Sequence, residues 1–281
     1  MEHQPWLPAT WDTHVDVVVV GFGAAGAAAA ITAYAAGAQV LLLDKAPEAH
    51  AGGNTRVAGQ GYLNTSSVDK AMTYLRALCG PYHVPEDMVQ VWAEEMGQNN
   101  AWVEHIGGDP QEHQHQPVGI EFPELPGADC VHKFHHGPVV GFSQTWEMLE
   151  RAVKARPIEI MYETPGKALI QDGVTQAILG VRAERQGQPY HIAARRGVIL
   201  TCGGFENNQE MIRNYLPGLP YCYTSGSPYN EGDGITMAMA AGADLWHMNN
   251  FAGPSMALKV PAVRTTFSMV PLHFAKQPPG G

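Results

Sequence analysis

The segment from Val15 to Lys45 constrains the fold of this chain most, because it carries a strand, a turn, a helix and a second strand in direct succession. Val17–Val20 is a run of β-branched apolar residues, which is typical of a parallel strand buried on both faces. Ala24–Ala36 is almost all alanine, a strong helix former, and Gly37 marks the helix end. Gln39–Leu43 predicts a second buried strand. The segment therefore predicts a β-α-β unit at the start of an α/β fold.

Three glycines between the first strand and the helix, Gly21, Gly23 and Gly26, have the G-x-G-x-x-G spacing. In that pattern the first permits a tight turn, the second lets a pyrophosphate approach the backbone, and the third lets the helix pack on the strand. Ala24 opens the helix, whose free N–H groups and dipole attract an anion. Asp44 lies eighteen positions after Gly26, near the spacing at which a carboxylate binds a ribose hydroxyl. The pattern predicts a dinucleotide, and the acid disfavours NADP.

Two other interpretations of this segment are disfavoured by its own residues. Residues 17–43 carry no charge and are long enough to span a bilayer, which would suit a transmembrane helix. Four glycines interrupt that stretch, the valine run favours a strand, and no basic cluster flanks it. A β-α-β unit without a nucleotide is disfavoured because strand, helix, second strand and acid are all in place.

Composition limits the classes of partner. The chain has 281 residues, 45% of them hydrophobic and 16% charged, which indicates a globular protein. A net charge of −10 argues against nucleic acid as a partner. The N-terminus has neither a basic nor an apolar signal region, so we expect a cytoplasmic protein without a membrane span. The scattered cysteines Cys79, Cys130, Cys202 and Cys222 indicate reduced thiols rather than a disulfide framework or a zinc site.

A second glycine-rich segment, Ala51–Gly61, follows Asp44 and Lys45. With the first unit it resembles the flavoprotein family of fumarate reductases, succinate dehydrogenases and 3-ketosteroid dehydrogenases. The resemblance implies FAD as cofactor, with this segment running along its pyrophosphate and isoalloxazine. Asn54 holds the place at which the succinate dehydrogenase branch carries a flavin-linking histidine, so the resemblance implies non-covalent FAD.

Residues 141–249 carry a second block of the resemblance. Its predicted elements are a helix at 145–155, a third parallel strand at 158–162, an antiparallel meander at 167–170, 177–184 and 190–194, a buried strand at 196–200, and a helix at 236–241. Asp233 either caps that last helix or contacts the flavin. Gly253–Met256 looks more like the ketosteroid dehydrogenases than the fumarate reductases. Residues 68–104 are predicted to be helical, with Pro85 at the start of the second helix.

The resemblance implies a set of cofactor contacts that runs through the whole chain. At the pyrophosphate and ribose these are Gly21, Gly23, Ala24, Gly26, Asp44 and Lys45; along the flavin Gly53, Asn54, Thr55, Ala58, Gly59 and Gly61; at the adenine Ala168; and on the returning segment Gly203, Gly204 and Asp233. No catalytic acid or base is assigned, because the family places these groups in its cap and closing segment.

Several other polar residues stay open as candidates. Five histidines lie in a segment that we expect to be irregular: His113, His115, His132, His135 and His136. They are either surface and packing residues, contacts to substrate or flavin, or metal ligands. Of these roles we do not expect metal binding. Arg56 is either exposed or stabilises an anionic flavin. Cys202 is expected to be a buried inert thiol. The candidates for a tyrosine that donates a proton are Tyr215, Tyr221, Tyr223 and Tyr229.

We expect an α/β fold: a Rossmann-like FAD-binding domain at 1–245, with a parallel sheet, an antiparallel meander and a helical or irregular insertion at 68–140. Residues 246–281 are expected to begin a truncated cap domain or a partner-binding tail. The implied function is an FAD-dependent oxidoreductase subunit acting on a carbon–carbon bond next to a carbonyl, on an enone, a ketosteroid-like molecule or a carboxylate. We expect a second protein chain to complete it; a fragment of a longer enzyme and a reduced flavoprotein with another task stay open as alternatives. The alternatives are a non-catalytic electron-transfer subunit and a colourless NAD-dependent dehydrogenase.

Overall fold

The computed structural model describes residues 7–113, 120, 122–138, 143–216, 218, 226–249, 257–259 and 266–268. These residues form two compact units. The first comprises the described residues up to Val57 and those from Leu149 onward, and the second comprises the described residues of Ala58–Met148. The predictions for Gly253–Met256, His115, Tyr221 and Tyr223 lie outside the described residues.

The first unit is an α/β structure built around one six-stranded sheet. Its elements are β1 (Thr13–Val20), α1 (Ala24–Ala35), β2 (Val40–Leu43), α2 (Gly53–Val57), β6 (Glu159–Met161), β7 (Gly166–Gln171), β8 (Ile178–Arg185), β9 (Gln188–Leu200), α6 (Gln209–Tyr215), α7 (Asp233–Ala240) and the hairpin of β10 (Ala257–Lys259) and β11 (Thr266–Ser268). Helix α5 (Gln144–Lys154) crosses the boundary between the units in sequence.

The strand order in this sheet is β6-β2-β1-β9-β8-β7. The strands β6, β2, β1 and β9 are parallel, and β9, β8 and β7 form an antiparallel meander. All four residues of β2 are buried, which explains its uninterrupted apolar sequence. The predicted Rossmann-like fold with a parallel sheet and a meander is confirmed.

Strand β9 replaces two predicted strands. The sequence suggested separate strands at 190–194 and 196–200, but the structure has one continuous strand of 13 residues. Its first part pairs antiparallel with β8 and its later part pairs parallel with β1. A bulge lies where Val15 pairs with Ala194 and Val17 pairs with Gly197, and Gly197 has a φ of +152°. The break seen in the sequence is this bulge.

The core of the first unit lies against the parallel strands and the meander. One cluster of buried residues comes from β1, β2, β6, β8, β9 and α7: Val15, Val18, Val20, Leu41, Leu43, Met161, Val181, Ala183, Ile192, Ala194 and Met237. Val19, Leu42, Ala27 and Ile31 are buried as well. Helix α1 is only 12 residues long, and none of the helices in the described parts of the chain has the length and apolarity to cross a membrane. A transmembrane helix was the disfavoured alternative for residues 17–43, and this segment instead contains the end of β1, helix α1 and strand β2.

The second unit combines two helices with a small sheet. The helices are α3 (Val68–Cys79) and α4 (Glu86–His105), which agrees with the helical prediction for 68–104. Ser67 caps α3 by accepting a hydrogen bond from the Lys70 N–H. The segment expected to be irregular instead supplies β4 (Pro110–Glu112) and β5 (Val131–His136), and β5 pairs antiparallel with β3 (Gly61–Thr65).

Candidate functional site

A cavity of about 270 Å³ lies in the first unit, where β1, β2 and β9 end at their carboxyl sides. In open α/β sheets this edge is where ligands bind. Ten of the predicted cofactor residues line the cavity: Gly21, Gly23, Ala24, Asp44, Lys45, Gly53, Asn54, Thr55, Gly203 and Asp233. The structure therefore brings together residues that lie up to 212 positions apart in the sequence.

The three glycines of the G-x-G-x-x-G pattern differ in how much space the protein leaves for a side chain. Gly21 has a φ of +109°, and a Cβ there would clash with the Thr201 carbonyl. A Cβ on Gly26 would clash with the Gly21 carbonyl oxygen. A Cβ on Gly23 would lie 3.6 Å from its nearest protein atoms, and its φ of −104° suits any residue. Gly21 and Gly26 are therefore required by the protein's own packing, whereas the protein itself would tolerate a side chain at Gly23, which lines the cavity.

Helix α1 presents its N-terminus to this cavity. Its N-cap is Gly23, which has no side chain to accept a hydrogen bond from the first N–H groups. The Ala24 N–H donates to Thr55 Oγ1 at 3.0 Å. The first N–H groups of a helix have no partner within the helix, and together with the positive end of the helix dipole they suit an anion such as a pyrophosphate.

Asp44 lies at the end of β2 as predicted. Its Oδ2 accepts a hydrogen bond from the Phe22 N–H at 3.2 Å, and its Oδ1 accepts one from the Ala46 N–H at 2.8 Å. Burial raises the pKa of this carboxyl, although these two hydrogen bonds oppose the rise. A buried acceptor on the cavity wall suits a ribose hydroxyl.

Lys45 binds two carboxylates that come from the start of α7. Its Nζ lies 2.9 Å from Glu231 Oε2 and 2.6 Å from Asp233 Oδ2. Burial lowers the pKa of Lys45, but the hydrogen bonds to Asp233 and Glu231 outweigh this effect and leave the pKa raised. The prediction that Asp233 caps α7 is wrong: Gly232 occupies the N-cap with a φ of +83°, and the Asp233 carboxylate pairs with Lys45 instead.

The glycine-rich segment contains a short helix that the sequence did not predict. Gly53–Val57 forms α2, and Gly53 has a φ of +51° with no atom within 4 Å of where a Cβ would lie. The Asn54 amide is held at both ends, because its Nδ2 donates to Glu206 and its Oδ1 accepts from the Ser227 N–H at 2.7 Å. Arg56 donates to the carbonyls of Ala49 and Ala51 within the same segment.

Six predicted cofactor residues do not line this cavity: Gly26, Ala58, Gly59, Gly61, Ala168 and Gly204. Gly26 packs beneath the turn, and Gly61 begins β3 in the second unit. Ala168 lies within β7, two residues beyond Gly166, which does line the cavity. Thr164 and Pro165, directly before the strand, also line the cavity, and the adenine contact of Ala168 stays a prediction.

The sequence did not single out some of the lining residues. These are Phe22, Thr164, Pro165, Gly166, Ser227 and Asn230. Asn230 and Ser227 are buried polar residues on a connection without regular structure, which no periodic pattern marks. Of the candidate tyrosines, Tyr229 lines the cavity and its hydroxyl lies 2.8 Å from His50 Nδ1, whereas Tyr215 packs against Phe205.

The remaining candidates lie outside the cavity or are inert. Cys202 lines it, but burial raises the pKa of its thiol to about 11, with Asp233 adding to the effect, which agrees with an inert thiol. Of the candidate histidines, His113 directly follows β4, and His132, His135 and His136 lie within β5; burial lowers the pKa of His135. No group of three or more histidine, cysteine or acidic residues within the described ranges could hold a metal ion.

Known proteins resemble this chain over most of its length. It is 28% identical over 273 residues to a fumarate reductase (cytochrome) of Shewanella frigidimarina, with 92% of this chain and 45% of the relative covered. It is 28% identical to a 3-oxosteroid 1-dehydrogenase of Mycobacterium tuberculosis, with 86% and 57% covered. The chain spans about half the length of the curated relatives it matches.

The fold resembles solved structures of the same families. A 3-ketosteroid-delta4-(5alpha)-dehydrogenase from Rhodococcus jostii RHA1, in complex with 4-androstene-3,17-dione, matches with a TM-score of 0.73 and 26% identity, covering 86% of this chain and 56% of that one. Residues 16–257 match the family described as FAD binding domain. The open glycine at the α1 N-terminus and the buried acceptor at the end of β2 fit the pyrophosphate and ribose of FAD. The chain belongs to this family of FAD binding domains, and FAD is its cofactor.

Proposed function

We propose that this chain is part of an FAD-dependent oxidoreductase that dehydrogenates or reduces a carbon–carbon bond adjacent to a carbonyl group. The observation that carries the proposal is the cavity in which the bare N-cap Gly23, the α1 N-terminus and Asp44 meet. It is supported by relatives named fumarate reductase and 3-oxosteroid 1-dehydrogenase. Both names denote redox changes at such a carbon–carbon bond.

The residues of this chain bind and orient the cofactor. The N–H groups at the start of α1 would hold the pyrophosphate, with Gly23 leaving room for it, and Asp44 would accept a hydrogen bond from a ribose hydroxyl. When bound, FAD supplies a ring that exchanges hydride with a carbon whose neighbour is acidified by a carbonyl. Asn54 supports non-covalent attachment, because an amide nitrogen is a poor nucleophile and this one already donates to Glu206.

A second cavity supports an uncharged substrate of the ketosteroid type. It has a volume of about 390 Å³ and shares the segment 200–203 with the cofactor cavity. Ile235, Met239, Leu245 and Trp246 contribute apolar side chains to it. Among the described residues that line it, Asp244 is the one charged side chain and is acidic, whereas a dicarboxylate is best recognised by paired cationic side chains.

The purified protein tests this proposal. We expect visible flavin absorbance, with FAD released intact by acid. Under anaerobic conditions a 3-ketosteroid should bleach the flavin, or an enone should reoxidise the reduced flavin. The second protein chain expected from the sequence stays a prediction, and the assay is run with and without candidate partners.

The other outcomes separate the alternatives. A flavin that is reduced by an artificial donor but responds to no enone, ketosteroid or carboxylate, with or without partners, would favour the electron-transfer subunit. A colourless protein that binds NAD would contradict the proposal.

A further inference from the structure

Glu206 does not line the cofactor cavity, but it binds two side chains that do. Its Oε1 accepts a hydrogen bond from Asn54 Nδ2 at 2.8 Å and another from Asn230 Nδ2 at 2.7 Å. Asn54 belongs to α2, and Asn230 lies on the connection that leads to α7. One carboxylate oxygen therefore joins two parts of the cavity wall that are distant in sequence.

The carboxylate also fixes which way each amide points. An ionised carboxylate only accepts hydrogen bonds, whereas an amide has a donating and an accepting end. The nitrogen ends of both amides must therefore face Glu206. The Asn54 oxygen then faces the Ser227 N–H, which donates to it at 2.7 Å. Rotating the Asn54 amide by half a turn would set two oxygens against each other and two N–H donors against each other.

The adjacent glycine pair leaves room for this arrangement. A Cβ on Gly203 would lie 2.7 Å from Asn230 Oδ1, and a Cβ on Gly204 would lie 2.7 Å from Glu206 Oε2. Gly203 also has a φ of +73°, which favours glycine. Side chains at these two positions would displace the Asn230 amide and the Glu206 carboxylate. The pair that the sequence assigned to the cofactor is thus needed by the hydrogen bonds around Glu206.

We propose that Glu206 is a positioning residue for the cofactor: it holds the Asn54 and Asn230 amides in one orientation on the cavity wall before FAD binds. The proposal rests on the cofactor site proposed above. Amides that are already ordered lose less conformational freedom when the ligand binds. Without the acceptor, two donors at the cavity wall lose their partner and the amides are free to turn.

The test compares Glu206→Met, which removes the acceptor, with Glu206→Gln, whose Oε1 can still accept both hydrogen bonds without the charge. Glu210→Met is the matched control, because Glu210 is exposed and does not line the cavity. Each apoprotein is titrated with FAD by flavin fluorescence, and its thermal unfolding is recorded. We expect E206M to bind FAD about tenfold more weakly, as the loss of about 1.4 kcal/mol would produce. We expect E206Q to bind within about threefold of wild type, since about 0.65 kcal/mol corresponds to that ratio.

A double-mutant cycle with Asn54→Ala separates positioning from a general structural effect. If Glu206 acts through Asn54, the double variant E206M/N54A binds FAD less weakly than the product of the two single effects predicts. Multiplicative effects would overturn the proposal, as would equal affinities of E206M and wild type. An equal loss in E206Q and E206M would also overturn it, because the charge rather than the acceptor would then matter.

A folding defect has its own readout. If apo E206M does not fold, Glu206→Asp replaces it, because aspartate keeps the charge but its side chain is shorter by one methylene, which moves the acceptor away from both amides. Weakened FAD affinity in E206D would support the proposal, and unchanged affinity would overturn it. Failure of the wild-type protein to bind FAD would contradict the cofactor site itself, and Glu206 would then position no cofactor.

Discussion

Gly23 and Gly26 belong to one sequence pattern, but substitutions at the two positions should have different consequences. Gly23→Ala adds a methyl group with ordinary contacts to the protein, so the apoprotein should unfold as the wild type does, while FAD affinity should fall by about tenfold or more because the methyl group would keep the pyrophosphate away from the backbone at the proposed site. Gly26→Ala drives a methyl group into the Gly21 carbonyl and should destabilise the apoprotein by about 1–3 kcal/mol. Thermal or urea unfolding and FAD titration measure both effects.

The pattern of the two variants is the control for this prediction. Wild-type FAD affinity in Gly23→Ala would contradict the assignment of that space to the pyrophosphate. Wild-type stability of Gly26→Ala apoprotein would contradict the close packing of α1 on the turn.

Asp44 should make the stability of the apoprotein depend on pH. Burial raises the pKa of this carboxyl above its ordinary value of 3.8, so the folded state holds the proton more tightly than the unfolded state does. The contribution of Asp44 to stability therefore falls as the pH rises from 3.8 through the raised pKa. In Asp44→Asn that dependence is absent, so wild type should lose stability relative to the variant across this window. Urea unfolding at a series of pH values measures the difference, and a constant difference would contradict the buried carboxylate.

At the scale of elements, strand β9 joins the antiparallel meander to the parallel sheet. Its bulge is at Gly197, which has a φ of +152°, a backbone conformation that residues with a side chain rarely adopt. No atom lies within 4 Å of where a Cβ on Gly197 would be. Gly197→Ala should therefore carry a backbone cost alone, about 1–2 kcal/mol of unfolding free energy. Urea unfolding measures it, with the exposed neighbour Arg196→Ala as the control. Equal stability of Gly197→Ala and wild type would show that the bulge does not need glycine.

The elements that the sequence predicted well are those whose signals are local. The valine run of β1, the alanines of α1 and the position of Asp44 each depend on a few neighbouring residues, and all three were predicted. β5 was missed because its sequence, VHKFHH, is mostly polar and lacks an alternating pattern. It becomes a strand through pairing with β3, in which Thr65 lies opposite Val131. Such distant pairings leave little trace in the sequence.

The candidate site also combines residues that local sequence patterns indicate with residues whose contacts depend on distant parts of the chain. Gly21, Gly23 and Gly26 were recognised from their spacing; the structure agrees with the turn at Gly21 and the close packing at Gly26, and the pyrophosphate contact of Gly23 stays a prediction. The choice of Lys45 rather than a helix cap as the partner of Asp233 depends on two chain segments 188 positions apart. No local pattern could have indicated that choice, and the same holds for Glu206 with Asn54.

At the scale of the molecule, this chain supplies a cofactor domain that matches about half of its curated relatives. Each described residue that lines the cofactor cavity belongs to the first unit, at the ends of β1, β2 and β9 and on the connections around them. The chain's own task in the proposed function is to bind and orient FAD.

The central claim is that FAD binds with its pyrophosphate at the N-terminus of α1. Hydrogen exchange of the backbone amides, followed by mass spectrometry with and without FAD, tests it most directly. We predict slower exchange on FAD binding in peptides that contain residues 21–25 and 44–46, which line the cavity, and unchanged exchange in the turn at 172–177, which does not line it. Bound FAD that leaves the exchange of residues 21–25 unchanged would contradict it.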